Sequence, residues 1–271
     1  MVCAYRARAS RWPKPLFQDP WAEALAGEHG HEIAKQYDLR FPQMELWLAL
    51  RVAYLDRIVG LAIDRLSARQ VVILGAGHDT RAARLPRQGV RFFEVDHPAT
   101  QAEKRQRLAG LAGYPVDAAT YVACNFERED PVEWLAHAGF DLGEPAIVIW
   151  EGVVSYLTDA AVRATATRLA TGLDPRSLIA FDFLGKGPKE GTQLASADLE
   201  ARAYFDELGE PIQFGTDDVL PLLYECGFRW VRVLDFNELA LELLDDYQRE
   251  RKFRFQRIAL TCARTPAAGW P

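Results

Sequence analysis

Hydrophobic patterning is most regular between residues 70 and 96. Val71, Val72, Ile73 and Leu74 form a continuous apolar run, Gly75, Ala76 and Gly77 form a turn, and a second run of Arg91, Phe92, Phe93, Glu94 and Val95 closes on Asp96. An unbroken apolar run bounded by turn residues is the pattern of a strand covered on both faces, and a helix between two such strands makes a βαβ unit. The alternation continues. Strands are expected over 121–124, 146–150, 178–183, 230–236 and 257–262, with helices over 101–108, 131–138, 159–171, 219–226 and 238–251 between them. Such alternation predicts an α/β, Rossmann-like domain with a seven-stranded, mostly parallel sheet.

Residues 1–69 precede the first core strand and read mostly as helix. Asp19 followed by Pro20 is expected to cap a helix with proline in its first turn. Leu46, Trp47, Leu50, Tyr54, Ile58 and Leu61 recur at helical spacing on one face of a long segment over 44–66. This N-terminal unit is expected to form a helical cap or lid over a core spanning 70–271. Within that core, 185–215 turns polar and glycine-containing around a helical piece over 196–208. Long connections of this kind often serve as binding loops, so it is expected to be an insertion after the fifth strand that completes a substrate cap.

The first βαβ unit carries the chemistry. Gly75 and Gly77 let the backbone turn sharply and bring main chain close to a ligand, because a Cβ would stand in the way. Ligands of open α/β sheets sit at the carboxyl ends of the strands. Asp96 falls 19 residues after Gly77 (96 − 77), where a carboxylate can accept hydrogen bonds from ribose hydroxyls. A dinucleotide fingerprint needs a third small residue, but its sixth position here is Thr80, and Asp79 sets a negative charge beside the helix start. Asp79 is also a candidate helix N-cap. A pyrophosphate is poorly served, whereas S-adenosyl-L-methionine, with a ribose, no phosphate and a sulfonium cation, suits this acidic setting.

Composition narrows the partners. Apolar residues make up 49% and charged residues 26%, which is ordinary for a globular chain. The formal net charge is −6 and no dense Lys/Arg tract occurs, so neither nucleic acid nor an anionic membrane is an expected partner. No apolar run approaches the roughly 20 residues that span a bilayer, and the expectation is a cytoplasmic protein. Cys3, Cys124, Cys226 and Cys262 form no paired motif, and His29, His31 and His137 lack metal-ligand spacing. No metal is expected.

Three stretches together resemble a known family. Val71-Val72-Ile73-Leu74-Gly75-Ala76-Gly77-His78-Asp79-Thr80-Arg81, then Phe93-Glu94-Val95-Asp96-His97-Pro98, then Glu151-Gly152-Val153-Val154-Ser155-Tyr156-Leu157 are similar to the leucine carboxyl methyltransferases, a branch of the class I S-adenosyl-L-methionine-dependent methyltransferases. Pro15-Leu16-Phe17-Gln18-Asp19-Pro20, Gly209-Glu210-Pro211 and Phe214-Gly215 resemble its bacterial members. The resemblance implies that Arg51 grips the carboxylate of the methionine moiety and that Arg8 adds a second basic contact. It further implies that Gly75, Ala76 and Gly77 approach the methionine portion and Asp96 the ribose. Asn125 and Phe126 fall where the family has Asp and an apolar residue near the adenine; an Asn carbonyl can still accept the adenine amino group.

Glu151, at the end of the fourth strand, is placed to take the amino group of the methionine moiety. Tyr156 is expected as a catalytic residue, a wall of the pocket and a donor to substrate. The implied activity is O-methylation, most readily of a carboxylate on a small molecule, giving a methyl ester and S-adenosyl-L-homocysteine. A carboxylate is ionised at neutral pH and needs no general base. A phenol or alcohol acceptor would need one, for which His78 and His97 are the candidates. A non-catalytic S-adenosyl-L-methionine-binding scaffold and a dinucleotide-dependent oxidoreductase remain as the other readings.

Overall fold

The computed structural model describes residues 1–186, 211–248 and 256–264. The N-terminal part supplies α1 (Val2–Ala9), α2 (Ala22–Arg40) and α3 (Met44–Arg65). There follow β1 (Gln70–Leu74), α4 (Arg81–Arg84), β2 (Arg91–Asp96), α5 (Pro98–Ala109), β3 (Thr120–Ala123), α6 (Pro131–His137), β4 (Ala146–Trp150), α7 (Asp159–Gly172) and β5 (Leu178–Leu184). After the undescribed residues come α8 (Leu220–Glu225), β6 (Trp230–Asp235), α9 (Phe236–Leu243) and β7 (Gln256–Cys262).

The strands form one seven-stranded sheet in the order β3-β2-β1-β4-β5-β7-β6. Strands β1 to β5 pair in parallel, and β7 runs antiparallel to both β5 and β6. The chain order reverses between β1 and β4, which both flank the carboxyl-end crevice where ligands of such sheets bind.

Side chains alternate across the sheet, and both faces are covered. Val71, Ile73, Ile147 and Ile149 face a layer that includes Trp47, Leu50, Tyr54 and Ile58 of α3. Val72, Leu74, Val148 and Trp150 face α6, α7 and α8 through Leu135, Val162 and Leu223. The helical face foreseen over 44–66 therefore lies against the sheet as a core layer, whereas α1 and α2 reach past it to the carboxyl end of the strands. Cys124 and Cys262 are buried among apolar neighbours. None of the described helices is long and apolar enough to cross a membrane.

Two local expectations are corrected. Asp19 is not the N-cap of α2, which starts at Ala22 behind Trp21 with no side-chain cap; its buried carboxylate accepts from the Trp21 N–H through Oδ1 and faces Arg6 and Thr80 through Oδ2. The helix after the glycine turn is only four residues long, with Thr80 rather than Asp79 at its N-cap position. The segment over 187–210, most of the foreseen substrate-cap insertion, and residues 249–255, the end of the helix expected over 238–251, lie outside the described residues.

Under the glycine loop sits an ion pair with almost no access to water. Lys104 Nζ lies 2.5 Å from Glu94 Oε2 and donates to the carbonyl oxygen of Asp79 at 2.7 Å, tying α5 to β2 and to the loop. Burial pushes the Glu94 carboxyl up to about 7 although Lys104 pulls it down. Breaking a buried pair on one side leaves an uncompensated charge, at a cost of roughly 3–5 kcal/mol. Lys104→Met should therefore destabilise the protein by several kcal/mol in urea titrations. The loss should be larger at about pH 9 than at about pH 6, where Glu94 escapes by taking a proton, and a paired Glu94→Leu change should recover much of it.

Candidate active site

A cavity of about 440 Å³ opens at the carboxyl ends of β1 and β4, within the roughly 300–1,000 Å³ usual for small-ligand sites. The strand side contributes Gly75, Ala76, Gly77, Glu151, Gly152 and Tyr156; α1, α2 and α3 contribute Arg6, Leu25, Ile33 and Arg51 among others. Gly75 has φ +64°, and a Cβ on it would lie 2.3 Å from Val153 Cγ2. Both the left-handed backbone and the close approach require glycine there. The turn continues the β2 edge, since the Gly75 and Ala76 N–H groups both donate to the Val95 carbonyl.

Asp96 is built into this turn. Its Oδ2 accepts from the Gly77 N–H at 2.5 Å and its Oδ1 from the His97 N–H at 2.6 Å. Burial raises the Asp96 carboxyl, and those two N–H donors work against the rise. Each oxygen keeps a lone pair for a further donor.

The floor of the cavity is ionic and buried. Arg51 Nε donates to Glu151 Oε1 at 2.9 Å, and Nη1 to Asp182 Oδ2 at 2.7 Å. Glu151 Oε2 meets Arg81 Nη1 at 2.6 Å, and Arg81, 1% exposed, also pairs with Asp79 and with Asp56. Arg84 joins Asp56 and Asp19, and Arg6 joins Asp19. Burial acts to raise the Glu151 carboxyl, but Arg81 and Arg51 prevail and hold it below the usual range. Asp79 is likewise carried down to about 2 by Arg81, Arg6 and Lys104 against the effect of burial. Asp182 goes the other way, raised by burial more than Arg51 and the Gly152 N–H lower it.

Among the described residues these pairs join four guanidiniums (Arg6, Arg51, Arg81, Arg84) to five carboxylates (Asp19, Asp56, Asp79, Glu151, Asp182). A ligand bearing a positive charge offsets that imbalance and a phosphate aggravates it. The four-residue α4 offers no anion site either, because the Asp79 carboxylate takes the Arg81 N–H. The residues present thus fit a cationic nucleoside such as S-adenosyl-L-methionine and disfavour a dinucleotide.

Not all expected residues converge. Arg51, Gly75, Ala76, Gly77, Glu151 and Tyr156 line the cavity, and Asp96 braces its glycine turn. Arg8 does not line it: its guanidinium is held by Asp38 and Glu45. Arg6 does, because residues two apart on a helix point to nearly opposite sides. Asn125 and Phe126 sit in the loop after β3. The Asn125 side chain accepts from the Glu127 N–H, and Phe126 lines a separate surface groove with Trp134 and Thr158. Arg6, Arg81 and Asp182 were not foreseen. For Asp182 the one available signal was a lone charge between Phe181 and Phe183 in an apolar strand.

Of the two candidate bases, His97 caps α5, its Nδ1 accepting from the Ala99 N–H. His78 lines the cavity, and burial, aided by Arg107, lowers it to about 4.

These features define a Rossmann-like protein with a nucleoside site at its topological switch point. The chain belongs to the leucine carboxyl methyltransferase family, whose profile matches residues 1–170, and it is an S-adenosyl-L-methionine-dependent methyltransferase. A Mycobacterium tuberculosis relative, named among the S-adenosyl-L-methionine-dependent methyltransferases, is 32% identical over 211 residues, covering 72% of this chain and 68% of its own. A second relative so named, from Mycobacterium bovis, is 32% identical over 255 residues, covering 84% of this chain and 72% of its own. In fold, the chain is similar to a DUF574 family protein from Streptomyces avermitilis, with a TM-score of 0.64 at 14% identity over 97% of both chains.

Two outcomes are expected. Gly75→Ala should cost cofactor affinity and stability together, because Val153 must move and the backbone is strained. His78 is neutral when folded, whereas the unfolded chain takes up a proton below its ordinary value of about 6.5. More protons on the unfolded side mean that stability falls as pH drops from about 6.5 towards 4. In urea titrations across that window His78→Gln should lose less stability than the wild type.

Proposed function

We propose that the chain methylates a carboxylate of a small molecule, forming a methyl ester with S-adenosyl-L-methionine as donor. The observation that carries the acceptor class is the state of the two candidate bases. His97 is committed to a helix cap, and His78, held near 4, is too weak a base to ionise a phenol or alcohol efficiently at neutral pH. A carboxylate asks for no base, because it is already ionised. The family description supports the same class, and a cavity walled by helices suits a small acceptor.

The bound cofactor supplies a methyl group already activated by the sulfonium. The chain's part is to bind, to orient and to keep water out. Arg51 is assigned to the methionyl carboxylate, which a guanidinium meets with charge-assisted hydrogen bonds, and Glu151 to the ammonium. The Gly75–Gly77 turn lies along the methionine portion, and Asp96 accepts from the ribose hydroxyls. Asn125 and Phe126, in the loop after β3 and outside the cavity lining, are given no part in holding the adenine. Arg6 replaces Arg8 as the second basic group, and Tyr156 walls the acceptor side. Of the N-terminal helices, α1 and α2 are assigned to closing the site, α3 being part of the core.

Calorimetric titration with S-adenosyl-L-methionine and S-adenosyl-L-homocysteine is the test of the site. Both should bind, Arg51→Ala and Asp96→Ala should each weaken binding by about tenfold or more, and a nicotinamide dinucleotide should not bind. A screen of carboxylic acids by mass spectrometry should then find a product heavier by one methyl group. With that acid, kcat/KM should stay flat from about pH 6 to 9; a rise governed by a base near neutrality would move the assignment to a hydroxyl acceptor.

A further inference from the structure

Arg51 is assigned to the cofactor carboxylate, but a guanidinium on a long, flexible stem does not fix its own orientation. What fixes it here comes largely from β5. Asp182 Oδ2 takes Arg51 Nη1 at 2.7 Å while its other oxygen, Oδ1, accepts from the Gly152 N–H at 2.6 Å. Glu151 takes Nε at 2.9 Å from the other side. Two edges of the guanidinium are thereby used, and among the described residues Nη2 has no hydrogen-bond partner. Nη2 lies against the Gly152 turn, 3.3 Å from where a Cβ on that residue would stand. Gly152, with φ +69°, leaves this space open, and both Gly152 and Arg51 line the cavity.

We infer that Asp182 is a positioning residue for cofactor recognition: it locks Arg51 so that Nη2 is presented at the Gly152 turn to the carboxylate of the methionine moiety. The inference rests on the reading of Arg51 given above. Asp182 itself touches no ligand; its effect passes through Arg51 and through the Gly152 backbone.

A buried aspartate beside a buried arginine could equally serve only to neutralise charge. The two roles differ in which ligands they affect. A neutralising role supports the floor as a whole, so its loss weakens every ligand of the cavity to a similar degree. A positioning role is felt only by ligands that carry the carboxylate. The substitution of choice is Asp182→Asn, in which a carbonyl oxygen can still accept from Gly152 but the charge-assisted bond to Arg51 is lost.

The experiment compares S-adenosyl-L-homocysteine with decarboxylated S-adenosylmethionine, which keeps the adenosine, the sulfur and the amine but has no carboxylate. S-adenosyl-L-methionine, which shares the sulfonium of the decarboxylated ligand and differs from it only by the carboxylate, serves as the reference. Dissociation constants are measured by calorimetry on wild type, Asp182→Asn and Arg51→Gln, with Asp182→Ser as a second variant should the first fail to fold. Thermal melts establish that each variant is folded. The expected result is a loss of about tenfold in affinity for both carboxylated ligands in Asp182→Asn, with the decarboxylated ligand held within about twofold of wild type, the same pattern as in Arg51→Gln.

Equal losses for all three ligands, or no loss for any, in folded Asp182 variants while Arg51→Gln still discriminates, would overturn the role of Asp182 and leave Arg51 standing. If Arg51→Gln also fails to discriminate, the reading of Arg51 falls and takes the role of Asp182 with it.

Discussion

The carboxylate of Glu151, shared by two buried arginines, is the constraint on which the carboxyl end of the sheet depends. It joins Arg51 on α3 to Arg81 on α4, and those two carry the chain of pairs outward to Asp182 on β5, Asp56 on α3 and Asp79 in the glycine loop. Taking each of these ions out of water costs several kcal/mol, and a buried pair repays that only when its geometry is good and its remaining donors are met. Apolar side chains of the same volume would hold these elements together at no such cost. The network therefore makes better sense as a means of fixing where charge stands than as a source of stability. Charges fixed before a ligand arrives need no reorganisation when it binds.

The fold was legible in the sequence because its cause is local and periodic. Every β-strand found was foreseen to within a residue or so, since apolar runs and turn residues mark strands that are buried on both faces. The reversed direction of β7 between β5 and β6 was not legible. Antiparallel and parallel central strands carry similar apolar runs, and only the register Ile179↔Thr261 through Leu184↔Gln256 reveals the difference. The cap at Asp19 failed for a related reason. Asp-Pro is a good helix start by local rules, and Oδ1 does accept from the Trp21 N–H, but α2 begins only at Ala22 and the other oxygen is drawn to the guanidinium of Arg6.

The site was legible where its chemistry is carried by backbone and lost where it is carried by side chains meeting across the fold. Gly75, Gly77 and Asp96 could be read because a turn and a strand end fix them relative to one another, and Asp96 does meet the Gly77 N–H. Arg8 and Arg6 show the opposite case. A composition of arginines on a short helix does not say which of two lies inward, and a shift of two residues changes the side of the helix altogether. Arg81 and Asp182 belong to contacts 70 and 131 residues apart in the chain, Arg81 with Glu151 and Asp182 with Arg51, and no pattern within one strand or helix encodes them.

The same distribution of charge separates the cofactor from the acceptor. The floor between β1 and β4 holds an excess of carboxylate, which favours a cation, while His78 on the cavity wall stays neutral because it is buried and because Arg107, Lys104 and Arg6 stand nearby. A catalytic base would need the reverse arrangement, an anion beside the imidazole to lift it towards neutrality. Glu103 supplies one such influence, but burial and the three cations outweigh it. A site built to deprotonate its substrate would not surround its histidine in this way. That arrangement is in keeping with the acceptor class proposed above, a carboxylate that arrives already ionised and needs no proton abstraction.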